Sequence, residues 1–202
     1  MKKIIYQTVL ALILFNTMVT AQIRNLDTNS DEILEPNFYY SDLDHLLDPY
    51  VGTWQYTNGT TLLKIKLEKK EHYLLDSNQN IYIDLIVGEF QYVENGNIII
   101  DRIPLLNDTS IDYLNYSMVS FGFFRINHPN FPEANPSIRM IQIVFDDPVR
   151  TYLEYSGKMA INDEVENEKL IFSFRRDIGG SPDGASFAPV FPTGKYVLSK
   201  VP

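Results

Sequence analysis

The chain offers few side chains for nucleophilic catalysis, because it has three histidines and no cysteine. A serine-type hydrolase needs a serine, a histidine and an acid brought together. His45 lies in a leucine-bearing segment, His72 in a predicted turn and His128 before a proline, and no serine motif flanks them. The absence of thiols excludes thiolate zinc sites and iron–sulfur clusters. We therefore predict surface histidines and no catalytic residue.

Acidic clusters are the remaining candidates for acid–base chemistry or metal binding. Asp146 and Asp147 would form a carboxylate pair if both faced one cleft, but an Asp before Pro148 is typical of a turn. The acidic run at 163–168 lacks the glycine and the alternating oxygens of a calcium loop. The acids at 42–48 fit helix capping and solvation. We predict no metal and no cofactor.

The first 21 residues have the layout of a secretory signal peptide. Lys2 and Lys3 precede an apolar run from Ile4 to Phe15, and Ala21 ends a small-residue cleavage site before Gln22. The run is shorter than the roughly 20 residues that span a bilayer. No cysteine follows on which a lipid anchor could be built. We expect an exported protein, periplasmic or secreted, without a stable membrane anchor.

Composition sets the size of the fold and restricts its partners. The formal net charge is −9, which disfavours binding to nucleic acid and to anionic lipid heads. A hydrophobic content of 45% is enough for a packed core. We predict a signal peptide at 1–21, a flexible segment at 22–40 and one domain at 41–202.

Hydrophobic residues alternate with period two from Tyr50 onwards, which predicts strands. Asn58-Gly59 and Asn95-Gly96 are signals for tight hairpins. Short turns between consecutive strands favour an all-β fold, an antiparallel lipocalin-like barrel of eight to nine strands, with a β-sandwich as the alternative. The predicted strands are 51–57, 60–69, 80–94, 97–102, 116–125, 138–146, 149–157, 168–176 and 194–201.

A short amphipathic helix is predicted just before the first of these strands. Ser41 is placed as its N-cap and Pro49 ends it after about two turns. Leu43, Leu46 and Leu47 share one face at i, i+3, i+4 spacing. We expect these leucines to close one end of the barrel.

Gly52-Thr53-Trp54 follows this segment and opens the first barrel strand. The arrangement resembles the start of lipocalin-like barrels, in which a brief helix precedes a Gly-x-Trp strand. The resemblance implies that Trp54 packs under the barrel beside a late-strand arginine. Arg175 or Arg176 would fill that place and form a cation–π contact. The predicted closure residues are therefore Gly52, Trp54, Arg175, Arg176, Leu43, Leu46 and Leu47.

The chain as a whole is similar to an uncharacterised family of exported flavobacterial proteins. Three segments carry much of this resemblance: 50–60, 88–96 and the ending Pro192-Thr193-Gly194-Lys195-Tyr196-Val197-Leu198. The family has no known function, so the resemblance implies export and a single domain.

The sequence favours a non-catalytic binding or structural module of the cell envelope. A small barrel can hold one apolar ligand, so the expected partner is a small hydrophobic ligand or an envelope protein. Two alternatives remain open, an envelope hydrolase with an unrecognised site and a surface interaction or attachment component.

Overall fold

The structure, a computed structural model, describes residues 22–26, 34–124, 131–132, 134–135, 137–162, 168–176, 186 and 188–202. The predicted signal peptide lies outside the described residues. The strands are β1 (Gln22–Asn25), β2 (Phe38–Ser41), β3 (Gly52–Asn58), β4 (Thr61–Asp76), β5 (Ile81–Glu94), β6 (Asn97–Asp101), β7 (Met118–Phe124), β8 (Met140–Asp146), β9 (Glu154–Asn162), β10 (Lys169–Arg176) and β11 (Gly194–Val201). Three short 3₁₀ helices are η1 (Asp48–Tyr50), η2 (Ile103–Asn107) and η3 (Tyr113–Asn115).

The predicted antiparallel barrel is confirmed. Eight strands pair with their neighbours in the order β5-β4-β3-β11-β10-β9-β8-β7, and β7 pairs again with β5, which closes the ring. Most neighbouring strands of the barrel are also consecutive in the chain. The two exceptions are the β5–β7 pair, between which β6 intervenes in sequence, and the β3–β11 pair, which joins the first and last barrel strands. The alternation seen in the sequence follows from this closure, since every strand turns one face towards the shared interior.

Strand β5 pairs with more strands than any other strand described, because β2, β7 and β6 share the edge opposite β4. Near its start β2 pairs with it in parallel, at Tyr82 and Ile83. Val87 and Gly88 pair with β7, and the last residues of β5 form a hairpin with β6. A Cβ at Gly88 would lie 2.5 Å from the Leu67 side chain, so glycine permits the close approach of β4 here.

The N-terminal segment differs from its prediction. Residues 22–40 were expected to be flexible. Strand β1 lies within this range, β2 begins within it and ends at Ser41, and the two strands pair in parallel. The two-turn helix predicted from Ser41 is not formed, and the single turn η1 stands near its predicted end. His45 has a φ of +55°, which an α-helix does not allow.

Buried hydrogen bonds explain why this segment does not form a helix. Asp42 is buried, and its carboxylate accepts the N–H groups of Leu46 and Leu47 at 2.7 and 3.0 Å. Lys69 on β4 binds the same carboxylate at 2.8 Å. The long-range contacts, from Lys69 to Asp42 and from the Asp42 N–H to Asp84, override a helix signal of only two turns, because short isolated helices are marginal in water.

The alternating directions of the strands define two ends of the barrel. At the lower end β3 begins, β11 ends and the turn at 77–80 joins β4 to β5. At the upper end lie the tight turns at 59–60 and 95–96, the turn at 147–153 and the segment that precedes β11. Asn95 and Gly96 both have positive φ, as predicted for that hairpin. Among the described residues, no helix is long and apolar enough to cross a membrane.

Candidate functional site

The lower end of the barrel is closed by residues that immediately precede and open β3. Trp54 and Tyr50 are fully buried, and the Trp54 indole N–H donates to the Tyr50 carbonyl at 2.8 Å. The Tyr50 hydroxyl donates to the backbone carbonyl oxygens of Arg139 and Met159, on the far side of the barrel. Burial raises the pKa of Tyr50, so this phenol stays neutral. Tyr50 and Trp54 therefore link the start of β3 to the β8 and β9 side of the barrel at its lower end.

The predicted leucines contribute unequally to this closure. Leu47 is buried in the core, and Leu46 packs against it while partly exposed. Leu43 is 55% exposed, so its predicted part in the closure is wrong. Without the helix, the i, i+3, i+4 spacing no longer places the three side chains on one face.

The cation beside Trp54 is Lys200 rather than an arginine. Its ammonium group lies 5.1 Å from the centre of the Trp54 ring and 2.7 Å from the Glu168 carboxylate. Lys200 pairs directly with Trp54 across β11 and β3. Gly52 has a φ of +136°, and a Cβ there would lie 3.1 Å from the Lys200 side chain.

Arg175 and Arg176 do not lie beside Trp54, so their predicted position is wrong. Both are exposed at the end of β10, opposite Ser156 and Tyr155 on β9. Because β10 runs from the lower to the upper end, its last residues lie at the opposite end of the barrel from Trp54. The register of β11 against β3 places Lys200, rather than an arginine of β10, beside Trp54.

The barrel interior is filled by aromatic side chains. Phe191, from the segment before β11, is fully buried and lies within 5.5 Å of three other rings, measured between centroids: Phe90, Phe145 and Phe174. Tyr155 and Phe172 add further ring contacts in the same cluster. Burial, together with Tyr92 and Tyr56 nearby, raises the pKa of Tyr196 to about 12. These described side chains thus form a packed aromatic core.

A pocket of about 570 Å³ lies above this packed core, at the upper end. We call it the upper pocket. Its volume falls within the range of small-molecule sites. Most of its wall is apolar or proline-rich, and two charged side chains, Glu94 and Arg176, also line it. The lining residues are Tyr92, Glu94, Ile99, Arg176, Ala188, Pro189, Val190, Pro192 and Thr193.

Tyr92 supplies a polar group beside this apolar wall. Its hydroxyl lies 3.3 Å from the Glu94 carboxylate, to which it donates. Burial, followed by the charge of Glu94, raises the pKa of Tyr92, which therefore stays a neutral donor. Ile99 on β6 is 51% exposed and contributes an accessible apolar surface. This combination suits a ligand with an apolar body and a small polar end.

A second pocket, of about 260 Å³, lies at the same end between the β6–β7 connection and the β8–β9 turn. We call it the side niche, and its lining is mostly polar: Arg102, Asn115, Ser117, Asp146, Asp147, Pro148 and Thr151. Arg102 binds the fully buried Glu89 through two hydrogen bonds of 3.0 Å. The Ser117 N–H donates to the same carboxylate at 3.2 Å.

Asp147 connects the side niche to residues 188–193, which place Phe191 in the barrel and which we call the plug segment. Its buried carboxylate accepts the N–H groups of Val149 and Arg150 at 2.8 and 3.0 Å, which is the turn chemistry predicted for it. The other oxygen accepts the Val190 N–H at 2.8 Å. Val190 precedes Phe191, so this carboxylate holds the plug segment in position.

The remaining candidates from the sequence are not brought into either pocket. His45 is exposed and its ring lies 3.0 Å from Asp48. His72 stacks on Tyr82 with ring centroids 4.3 Å apart, and His128 lies outside the described residues. In the part of the chain that the structure describes, no three His, Asp or Glu side chains are grouped to hold a metal ion.

Comparison with known proteins places the sequence in one family. A family described as being of unknown function, DUF6705, matches residues 1–200. The chain belongs to this family. No curated protein and no solved structure matches the chain.

In this DUF6705 protein, sequence reasoning missed the buried carboxylates of β5 and the entry of Phe191 into the barrel. Glu89 follows an apolar stretch of β5 and Asp84 interrupts it, and both carboxylates are buried. A charged residue inside an apolar strand is a usable signal, because a buried carboxylate must be paired. Phe191 had a weaker signal, an apolar stretch within a loop rich in glycine and proline. No pattern in the sequence reports that this ring enters the barrel.

Proposed function

We propose that the protein is an exported, non-catalytic binding module that holds a small, mainly apolar ligand in the upper pocket. The observation that carries this proposal is the pocket of about 570 Å³ above a packed aromatic core. A barrel filled by its own side chains leaves the mouth, rather than the centre, as the place for a ligand.

The lining supports an amphipathic ligand. Ile99, Val190 and the prolines at 189 and 192 supply the apolar wall. Tyr92 supplies a neutral hydroxyl, and Arg176 and Glu94 place one charge of each sign in the lining. Because both signs are present, one polar or ionised end of the ligand can be oriented while its body lies on the apolar wall.

Binding is tested with two probes of equal chain length, decanoate and decanol, by amide chemical-shift mapping of the purified protein. We expect saturable shifts at Tyr92, Ile99 and Val190 with at least one probe. Tighter binding of decanoate than of decanol indicates that Arg176 recognises an anionic end. Absence of shifts at these positions with both probes contradicts the proposal.

Neighbouring isoleucines provide a matched pair of variants. Ile99 lines the pocket, whereas Ile98 is more exposed and does not line it. Ile99→Asp is expected to abolish probe binding, and Ile98→Asp to leave it unchanged. Equal loss in both variants means that the probe binds the apolar edge of β6 rather than the pocket.

Export is supported by the signal-peptide layout of residues 1–21. Expression of the full chain in a Gram-negative host, with fractionation and N-terminal sequencing, tests it. We expect mature protein beginning at Gln22 outside the cytoplasm. Full-length chain retained in the cytoplasm contradicts export without bearing on the pocket.

A further inference from the structure

Two asparagine–glycine pairs lie at neighbouring hairpin tips of the upper end, Asn58-Gly59 between β3 and β4 and Asn95-Gly96 between β5 and β6. Because glycine has no Cβ to shield its backbone nitrogen, that nitrogen can attack the side-chain amide of a preceding asparagine. All four residues are exposed, so solvent access does not distinguish the two pairs. The pairs differ in whether the glycine nitrogen is already engaged in a hydrogen bond.

The Gly96 N–H is held by the neighbouring hairpin. It donates to the Thr60 carbonyl at 3.1 Å, so the tip of one hairpin engages the nitrogen of the other. Asn95 and Gly96 are the turn residues between the paired Glu94 and Asn97, and both have positive φ. For Gly96 to attack the Asn95 side chain, this hydrogen bond has to open first, which slows the reaction.

The Gly59 N–H has no such partner. Asn58 pairs with Thr61, which makes Gly59 the first of the two turn residues between them. The hydrogen bond of a β-turn joins the residues on either side of the central two, so it does not use the N–H of the first central residue. Among the described residues, no carbonyl or side chain accepts the Gly59 N–H. The nitrogen beside Asn58 is therefore available.

We propose that Asn58 is a site of spontaneous deamidation in the folded protein and that Asn95 is protected from the same reaction. The Gly59 nitrogen forms a bond to the side-chain carbonyl carbon (Cγ) of Asn58. The bond from Cγ to the amide nitrogen breaks, and ammonia leaves with the proton of the Gly59 N–H. Water then opens the cyclic imide, at the side-chain carbonyl to give aspartate or at the backbone carbonyl to give isoaspartate.

Both products change the tip of the β3–β4 hairpin. Each adds a negative charge to a chain that is already acidic. Isoaspartate also inserts a side-chain carbon into the backbone, at the residue whose pairing with Thr61 closes the hairpin. Neither Asn58 nor Gly59 lines the upper pocket, so this inference does not depend on the proposed function.

The experiment incubates the purified protein in mildly alkaline water labelled with heavy oxygen, once folded and once unfolded in urea. Peptide mapping by mass spectrometry follows the label at Asn58 and Asn95. The unfolded sample gives the intrinsic rate at each site, so the ratio of the unfolded to the folded rate measures protection. We expect protection at Asn95 to exceed that at Asn58 by at least about threefold, the lower range for one hydrogen bond that must open. A smaller difference, or no label at Asn58 in the folded protein, overturns the proposal.

Amide hydrogen exchange tests the premise without any covalent reaction. After correction for intrinsic exchange, the Gly96 N–H is expected to exchange more slowly than the Gly59 N–H by at least about threefold, for the same reason. Equal exchange at the two glycines shows that the bond to Thr60 does not protect Gly96 and overturns the proposal.

Asn58→Ser and Asn95→Ser form a matched pair of variants, because each removes one reactive amide and keeps the glycine that follows it. Ion-exchange chromatography of the folded proteins separates the more acidic products. We expect Asn95→Ser to accumulate them at the wild-type rate and Asn58→Ser to accumulate them at least about threefold more slowly. Equal accumulation in Asn58→Ser and the wild type shows that the added charge arises at another residue and overturns the proposal.

Discussion

The two ends of the barrel are closed in different ways. At the lower end, Tyr50 and Trp54 lie four residues apart and are joined by a hydrogen bond between side chain and backbone. At the upper end a single ring, Phe191, enters the barrel from a loop and is held through Val190 by Asp147. The lower closure belongs to a contiguous stretch that continues into a strand. The upper closure depends on a distant carboxylate, and both pockets lie beside it.

Buried carboxylates anchor the chain at both ends, again with different partners. Asp84 near the lower end accepts hydrogen bonds from Tyr39, Ser41 and the N–H groups of Asp42 and His72. It thereby ties β2 and the bulge of β4 to β5. Asp147 at the upper end ties one loop to one turn. Of these two carboxylates Asp84 accepts more hydrogen bonds, four against three, and this difference predicts where the molecule tolerates change.

Removal of Trp54 is expected to have the largest effect. Trp54→Ala leaves a cavity whose neighbouring residues are fixed by strand pairing. The free energy of unfolding should therefore fall by an amount near the upper limit of about 3–5 kcal/mol. Urea unfolding, followed by far-UV circular dichroism, measures it. Trp54→Phe keeps most of the ring volume and should lose less than half as much. Equal losses for the two variants would mean that volume is not what Trp54 contributes.

Removal of Phe191 is expected to have a smaller effect, near the lower limit of about 3–5 kcal/mol, because its loop can move into part of the space. The remaining cavity is lined by aromatic rings and is apolar. We therefore expect benzene to raise the melting temperature of Phe191→Ala and not that of the wild type. A Phe191→Ala variant as stable as the wild type would show that the upper plug is dispensable.

The anchor at Asp84 predicts a pH dependence for the lower end. Burial alone would raise the pKa of Asp84, but the hydrogen bond from Tyr39 and those from Asp42, His72 and Ser41 outweigh it and lower the pKa. A carboxyl whose pKa is lowered by folding stabilises the protein above its unfolded pKa of about 3.9, and this contribution disappears as the pH falls further.

Asp84→Asn is therefore expected to cost about 1.5–3 kcal/mol at pH 7, with a smaller difference from the wild type below about pH 4. Urea unfolding across this pH range measures the difference. Asp101→Asn, which alters an exposed carboxylate on β6, serves as the control and should show little change at any pH. A difference that grows as the pH falls would contradict the assignment.

Period-two patterning and turn chemistry predicted most of the barrel from sequence, because both are local. The strands from Gly52 to Asp101 and the turn at Asn95-Gly96 agree with prediction to within a few residues, although β4 extends to Asp76. Strand β9 was placed too early, at 149–157. The backbone beyond Asp147 first makes a turn stabilised by that carboxylate, and pairing begins at Glu154.

Long-range contacts account for what the sequence did not predict. The helix signal at 41–48 fails because Asp42 and Asp84 bind distant groups. The side niche is formed where the β6–β7 connection meets the β8–β9 turn, and no motif links those segments. The identity of the cation at Trp54 depends on the register of β11 against β3, which alternation alone does not set.

The smallest expected effect concerns the cation that contacts Trp54 at the lower end. Lys200→Met keeps the aliphatic stem over Trp54 and removes the charge, so it should cost about 0.5–1 kcal/mol, the range for a partly exposed cation–π contact. Arg176→Met, at the opposite end, should remain within about 0.5 kcal/mol of the wild type. Fluorescence of Trp54, the one tryptophan in the chain, follows both unfolding curves. A larger loss of stability for Arg176→Met than for Lys200→Met, together with a shifted Trp54 emission in the folded state, would contradict this assignment. The cation in contact with Trp54 would then be Arg176 on β10.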